Sequence, residues 1–218
     1  MKQTILIISI LILSIGISLF FPFQLDKRLD RLENHHKSIE YSYAFDCVRE
    51  AELKYWETKS LLVTEIQNYI DQIAPTSNLR AYAIVEECEK YQIDIKFVLA
   101  QGEIESHFGT KGLGSKLNNV FNVGVFDGFN FEQINNKYKF NHPNQSIEPY
   151  IKLLIDRYLV DKLEMDLMEN YVDINGNRYA SNPDYENIVK AKYNYISNNT
   201  NINSLQLQLK NYAIKCGR

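Results

Sequence analysis

Residues 97–124 read FVLAQGEIESHFGTKGLGSKLNNVFNVG, and this stretch organises the rest of the chain. Asp94 precedes it, and aspartate is a residue type that caps the N-terminus of a helix. Gly109 lies inside it and is placed to end a helix, because glycine adopts the left-handed backbone conformation without a steric penalty. The interval between Asp94 and Gly109 therefore predicts one helix.

Within this helix Glu105 is the residue with the clearest chemical meaning. Val98, Gln101 and Glu105 recur at spacings of three and four and share one face, whereas Glu103 points elsewhere. Partial negative charge at the helix C-terminus and partial burial both disfavour a second negative charge there. Both effects favour a protonated Glu105, which a general acid requires near neutral pH. The plain alternative is a solvated glutamate at a frayed helix end.

Composition excludes several classes of protein. Apolar residues make up 45% of the chain and charged residues 23%, which is typical of a folded protein. The net charge is −3 and no basic run alternates with aromatic residues, so we expect no nucleic acid partner. The three cysteines form no C-x-x-C pair and the four histidines no H-E-x-x-H pattern, so we expect no metal site and no cofactor. Whether any disulfide forms stays open.

The N-terminal segment is almost wholly apolar. Residues 4–23 read TILIISILILSIGISLFFPF and carry no charge, and about 20 such residues cross a membrane core. We predict an uncleaved transmembrane signal anchor over residues 1–23. The alternative is a cleaved signal peptide, although no clear A-x-A-like site is present. On this basis we expect a single-pass membrane protein. Its orientation stays open at this point, because Lys27, Arg28 and Arg31 after the segment outnumber Lys2 before it and argue against an outward-facing C-terminus.

A helical spacer is predicted over residues 24–73, which contain no glycine or proline. A short heptad-like seam runs along it, in which residues recur at alternating spacings of four and three: Leu25, Leu29, Leu32, His36, Ile39 and Tyr43. The seam is too short to claim a coiled coil, so the oligomeric state stays undecided. Pro75 and the polar residues after it end the spacer, and we predict one catalytic domain over residues 74–218.

That domain is predicted to be mainly α-helical with one small β element. Residues 79–91 read as a helix, and Pro183 begins another that runs to about Ile196. Residues 120–126 and 138–140 are short apolar and aromatic runs on either side of turn-rich sequence, which predicts a β-hairpin lobe.

Three sequence elements together resemble a known family. In chain order they are Ala100-Gln101 with Glu105-Ser106 and Asn118-Asn119-Val120-Phe121; Glu132 before Tyr138 and Phe140; and Arg178-Tyr179-Ala180-Ser181-Asn182-Pro183-Asp184-Tyr185. They resemble the glucosaminidase-type peptidoglycan hydrolases, glycoside hydrolase family 73, across roughly residues 79–196. The last element is the most specific, since it is similar to the family's Tyr-Ala-Thr-Asp-Pro-x-Tyr. The resemblance implies a lysozyme-like fold. The chain departs from the family pattern at His107, Phe108, Asn122 and Asn182.

The resemblance implies a role for each matching residue. Glu105 falls on the general acid, Glu132 on a second carboxylate in a mobile lobe, and Tyr179 on the active-site tyrosine. Three further residues match positions that line the substrate groove: Gln101, Asn119 and Phe121. Asp127 is the alternative to Glu132 as the second carboxylate. A third route uses the N-acetyl oxygen of the substrate, with Tyr179 holding that group.

The implied activity is hydrolysis of peptidoglycan glycan strands at the β-1,4 bond after N-acetylglucosamine, in bacterial wall remodelling or phage lysis. The resemblance therefore also implies a catalytic domain in the periplasm or otherwise outside the cytoplasmic membrane. A muramidase or a lytic transglycosylase of the same fold is one alternative. A non-catalytic wall-binding protein is another. Without a distance between the two carboxyl groups, retention and inversion are equally open.

Overall fold

The structure is a computed structural model that describes residues 2–125, 138–215 and 217 of the 218-residue chain. In the first helix the side chains of residues 2–28, 42–45 and 47 lie outside the description. Two compact units are present, residues 1–53 with 215–218 and residues 54–214. The predicted boundaries after residues 23 and 73 stay a prediction.

The described elements are helical. Their bounds are α1 Lys2–Ile73, α2 Ala81–Tyr91, α3 Ile95–Ser106, α4 Gly112–Leu117, α5 Ile147–Leu153, α6 Glu164–Leu167, α7 Tyr185–Asn199 and α8 Ile202–Lys215. A 3-10 turn, Pro143–Ser146, leads into α5, and a π-helical turn, Leu154–Tyr158, continues it.

The prediction of a transmembrane helix is wrong. The first helix runs without a break through residue 23 to Ile73, because no glycine or proline after Pro22 interrupts its backbone hydrogen bonds. Its side chains from residue 29 to residue 41 are exposed. Across the residues that the structure describes, no helix is both long and apolar enough to cross a membrane.

The prediction of a β-hairpin lobe is also wrong. In the described residues the only β pairing is an isolated antiparallel bridge between Val172 and Arg178. Residues 120–125 form turns, because Asn122 has a left-handed backbone and the Asn119 side chain holds the loop closed. Such local side-chain bonds outweigh the β propensity of the apolar residues between them. Residues 126–137 lie outside the described part of the chain.

The helix α3 is the centre of the larger unit. It lies against α2, α4 and α7. Every residue from Ile95 to Gly102 is buried, so α3 is a core helix buried nearly all round. Lys96 is buried as well, and its ammonium donates to the Asn203 side chain and lies 3.3 Å from Asp94. The core therefore fixes α3 along its length and presents its last turn at the edge.

Candidate active site

The last turn of α3 carries Glu105. Asp94 caps the other end by accepting a hydrogen bond from the Lys96 amide at 2.9 Å, which confirms the predicted start. The predicted end was two residues too late: His107 is the first left-handed residue (φ 54°), and its amide donates to the Glu103 carbonyl. Gly109 is left-handed too (φ 79°) but lies beyond the helix.

The helix ends early because Phe108 must fold back into the core. Its ring lies against Gly102, where an added Cβ would meet ring carbons at 3.3–3.4 Å. The Ser106 hydroxyl then joins three chain segments, accepting from the Gly109 amide at 2.8 Å and donating to the Val120 carbonyl at 2.6 Å. Tertiary packing of Phe108, rather than a glycine, therefore fixes where Glu105 lies.

From the part of the chain that the structure describes, Tyr185 and Asn122 donate hydrogen bonds to the Glu105 carboxyl group. The Tyr185 hydroxyl donates to Oε1 through a very short hydrogen bond. Asn122 donates from Nδ2 to Oε2 at 3.2 Å and to the Glu105 backbone carbonyl at 2.8 Å. Hydrogen bonds of this kind favour the ionised carboxylate, whereas the C-terminal end of α3 favours the neutral acid. Glu105 therefore lies between opposing influences on its proton.

Tyr185 has no role in the prediction from sequence. The residue ends the Tyr-Ala-Ser-Asn-Pro-Asp-Tyr element and begins α7, which brings its ring beside the last turn of α3. Its side chain is 6% exposed. The available signal was that element itself, which has a tyrosine at each end, of which only Tyr179 was used.

Gln101 lies one turn before Glu105 on the same helix face. Its side chain is completely buried, and its Oε1 atom is 3.0 Å from the Tyr185 hydroxyl. The structure thus brings Gln101, Glu105 and Tyr185 into one hydrogen-bonded group. Its predicted role as a groove-lining residue stays a prediction.

Tyr179 lies in the loop between α6 and α7 and is partly exposed. Its ring stacks on Tyr171 at 4.4 Å and on Tyr185 at 5.6 Å between centroids, and its amide donates to the Tyr171 carbonyl. Burial raises the pKa of Tyr179 well above 10, and the neighbouring Glu105 raises it further. Tyr179 is therefore close enough to interact electrostatically with Glu105 and stays protonated at neutral pH.

Asn119 and Phe121 are buried, at 0% and 1% exposure. Asn119 accepts from the Val123 amide and donates to the Val123 and Tyr138 carbonyls. Phe121 stacks face to face on Tyr150, with ring centroids 4.1 Å apart. These contacts hold the loop after α4 in place, and binding of substrate by either residue stays a prediction.

Both candidates for a second carboxylate, Glu132 and Asp127, lie in residues 126–137, outside the described part of the chain, so this assignment stays a prediction. Glu103 does not take their place. Its carboxylate accepts from Lys192 and from the Tyr69 hydroxyl, both at 2.5 Å, and it links α1, α3 and α7.

Cys88 is buried with a free thiol, and burial raises its pKa well above the usual value. Within the described ranges no three His, Cys, Asp or Glu side chains come together as a metal site.

Comparison with known proteins identifies the family. The family model for glucosaminidase, described as mannosyl-glycoprotein endo-beta-N-acetylglucosaminidase, matches residues 81–198, more than half of the chain. No curated protein and no solved structure matches the chain. The matched span includes α3, the loop after α4 and most of α7, and so contains Glu105, Asn122 and Tyr185. The chain therefore belongs to the glucosaminidase family and contains a glycoside hydrolase domain.

Proposed function

We propose that the protein is a peptidoglycan hydrolase that cleaves the β-1,4 bond after N-acetylglucosamine, with Glu105 as its general acid. The observation that carries the proposal is the Glu105 carboxyl group at the end of α3, held by Tyr185 and Asn122. Glycoside hydrolysis needs a carboxylic acid that gives its proton to the leaving oxygen. A glutamate fixed by its own hydrogen bonds suits this role, because general acid catalysis depends on geometry before pKa.

The cationic sugar that forms on bond cleavage needs a second stabilising group. Glu132 is the residue we propose for this role. Tyr179 lies beside the acid, stacked on Tyr185, where it can contact the N-acetyl group of a bound sugar. Peptidoglycan lies outside the cytoplasmic membrane, so we propose that the domain acts there, in wall remodelling or in phage lysis.

Product analysis tests the position of the cut. Purified sacculi are digested with the full-length protein, and the released muropeptides are identified by mass spectrometry. The proposal predicts products with a reducing N-acetylglucosamine end. Reducing N-acetylmuramic acid would identify a muramidase, an anhydro end would identify a lytic transglycosylase, and wall binding without products would identify a non-catalytic protein.

Matched variants in the same assay locate the second group. Glu132→Gln is expected to lose most of the activity, while Asp127→Asn is expected to keep it. The reverse result transfers the role to Asp127. If both variants stay near wild type while Tyr179→Phe is impaired, the substrate's N-acetyl group supplies the stabilisation and the assignment of Glu132 is wrong.

A further inference from the structure

The Tyr185 hydroxyl lies within hydrogen-bonding distance of two oxygen atoms. One is Oε1 of Glu105, and the other is Oε1 of Gln101 at 3.0 Å. A phenol has one proton and can donate to only one of them, so the other contact must be made by a partner that donates. Among the residues that the structure describes, Gln101 Nε2 has no acceptor although it is fully buried. The group therefore has two ways to place its hydrogen bonds.

In the first arrangement Glu105 is protonated. Its O–H donates to the Tyr185 oxygen, and the Tyr185 O–H donates to Gln101 Oε1, which is the amide orientation in the structure. Asn122 already donates to the other carboxyl oxygen, Oε2, and so disfavours a proton there. The carboxyl proton accordingly belongs on the side of Tyr185.

In the second arrangement Glu105 is ionised. The Tyr185 O–H now donates to Glu105 Oε1, and two oxygen lone pairs would face each other across the contact with Gln101. A half-turn of the Gln101 amide removes this conflict, because Nε2 then donates to the Tyr185 oxygen. The same half-turn gives the unpaired Nε2 a hydrogen-bond acceptor. This stabilises the group, because a buried donor without an acceptor costs free energy.

We propose that Tyr185 and Gln101 form a two-state hydrogen-bond relay that positions Glu105 and accommodates it both with and without its proton. This inference rests on the proposed role of Glu105 as general acid. As the Glu105 O–H bond breaks, the proton forms a new O–H bond on the leaving sugar oxygen. The Tyr185 O–H swings from Gln101 to the new carboxylate without leaving the phenol oxygen. The first arrangement forms again when Glu105 regains a proton from water.

The surroundings keep the proton on Tyr185. Burial raises the pKa of Tyr185 well above 10, and its neighbours Tyr179, Glu105 and Tyr171 raise it further. Burial likewise raises the pKa of Tyr171 well above 10. Among the charged groups that α3 and α7 bring near this turn, Glu103 pairs with Lys192 and accepts from Tyr69, and Glu186 pairs with Arg178. The relay therefore moves hydrogen bonds and leaves the phenol neutral.

The pH dependence of kcat/KM for sacculus digestion by the full-length protein tests the relay, because its alkaline limb reports the acid in the free enzyme. Tyr185→Phe removes a donor to the carboxylate, so the limb is expected to move up by about one pH unit. The kcat value of this variant is expected to fall about tenfold.

Gln101→Leu leaves the Tyr185 proton without an acceptor only when Glu105 is protonated. A buried donor without an acceptor costs more free energy than an unused lone pair. The alkaline limb of the Gln101→Leu variant is therefore expected to move down by about half a pH unit.

The double variant is expected to show the same limb as Tyr185→Phe alone, because Gln101 acts only through Tyr185. Tyr193→Phe is the matched control. Tyr193 donates to the Asp94 carboxylate at 2.8 Å across the same two helices, far from Glu105 along α3. It is expected to lower stability without moving the limb.

Carbon-13 NMR titration of the Glu105 carboxyl group is the second measurement and needs no substrate. It is expected to show the same opposite displacements in Tyr185→Phe and Gln101→Leu. An unmoved titration in Tyr185→Phe, or displacements of the same sign in both variants, overturns the relay. A Glu105→Gln variant that digests sacculi normally overturns the proposed function instead, and the titration still decides on the relay. If Tyr185→Phe does not fold, the downward displacement in Gln101→Leu decides.

Discussion

Glu103→Gln is expected to destabilise the larger unit while sparing its activity. The Glu103 carboxylate accepts from Lys192 of α7 and from Tyr69 of α1, both at 2.5 Å. Its side chain is 9% exposed and that of Lys192 is 29% exposed, so the pair is shielded from water on one side. The substitution keeps the shape of the side chain and removes its charge.

The expected cost follows from these exposures. Removing one partner of a fully buried ion pair costs about 3–5 kcal/mol. Lys192 is partly solvated and the new amide oxygen still accepts one hydrogen bond, so we expect a loss of about 2 kcal/mol. For a unit of this size that corresponds to a fall of about 4–8 °C in Tm.

Urea unfolding followed by fluorescence measures this loss, because Trp56 is the only tryptophan and lies in the same unit. Glu169→Gln is the matched control. Glu169 pairs with Lys190 of α7, but its side chain is 70% exposed, so its loss is expected to cost less than about 0.5 kcal/mol. If Glu103→Gln costs no more free energy of unfolding than this control, the contacts of Glu103 with Lys192 and Tyr69 do not stabilise the unit as their geometry indicates.

Two further predictions concern the supports of the site. Gly114→Ala is expected to cost about 2 kcal/mol in urea unfolding, because its Cβ would lie 2.4 Å from the Ser106 Cβ and force the end of α3 to shift. Burial raises the pKa of Asp173, but hydrogen bonds from Asn177 and Arg157 outweigh it and lower the pKa to about 2. A lowered pKa means stabilisation that is present above pH 4 and lost as the pH falls towards 2. The difference in free energy of unfolding between wild type and Asp173→Asn is expected to disappear as the pH falls from 4 towards 2. A difference that does not change with pH would contradict the lowered pKa of Asp173.

Helices were predictable wherever local chemistry agrees with packing. The cap at Asp94, the helix that ends at Tyr91 and the helix that follows Pro183 were predicted from residue types that have one dominant local preference. The end of α3 was not predictable in the same way. His107 takes the left-handed position because burial of Phe108 against Gly102 outweighs the conformational cost at a residue other than glycine.

The loop after α4 shows the opposite failure. Its apolar residues suggested strands, but two asparagines fold it into turns through side-chain bonds that spacing alone does not reveal. Asn119 and Phe121 were assigned by resemblance to the substrate groove, and only the three-dimensional contacts show their burial.

Part of the candidate site could be predicted from the sequence. Glu105 and Gln101 could be placed on one face from their spacing in α3. Their hydrogen bonds to Tyr185 join residues 80 and 84 positions apart, and no periodicity reports such contacts. It depends on how α7 packs on α3, which is a property of the folded core.

Digestion of purified sacculi by Glu105→Gln tests the central claim most directly. Glutamine keeps the shape of the side chain and cannot give a proton, so turnover is expected to fall about a hundredfold or more. Glu103→Gln, assayed at a temperature where it is folded, is expected to stay near wild type. Release of muropeptides by Glu105→Gln at the wild-type rate would contradict the assignment of Glu105 as the general acid.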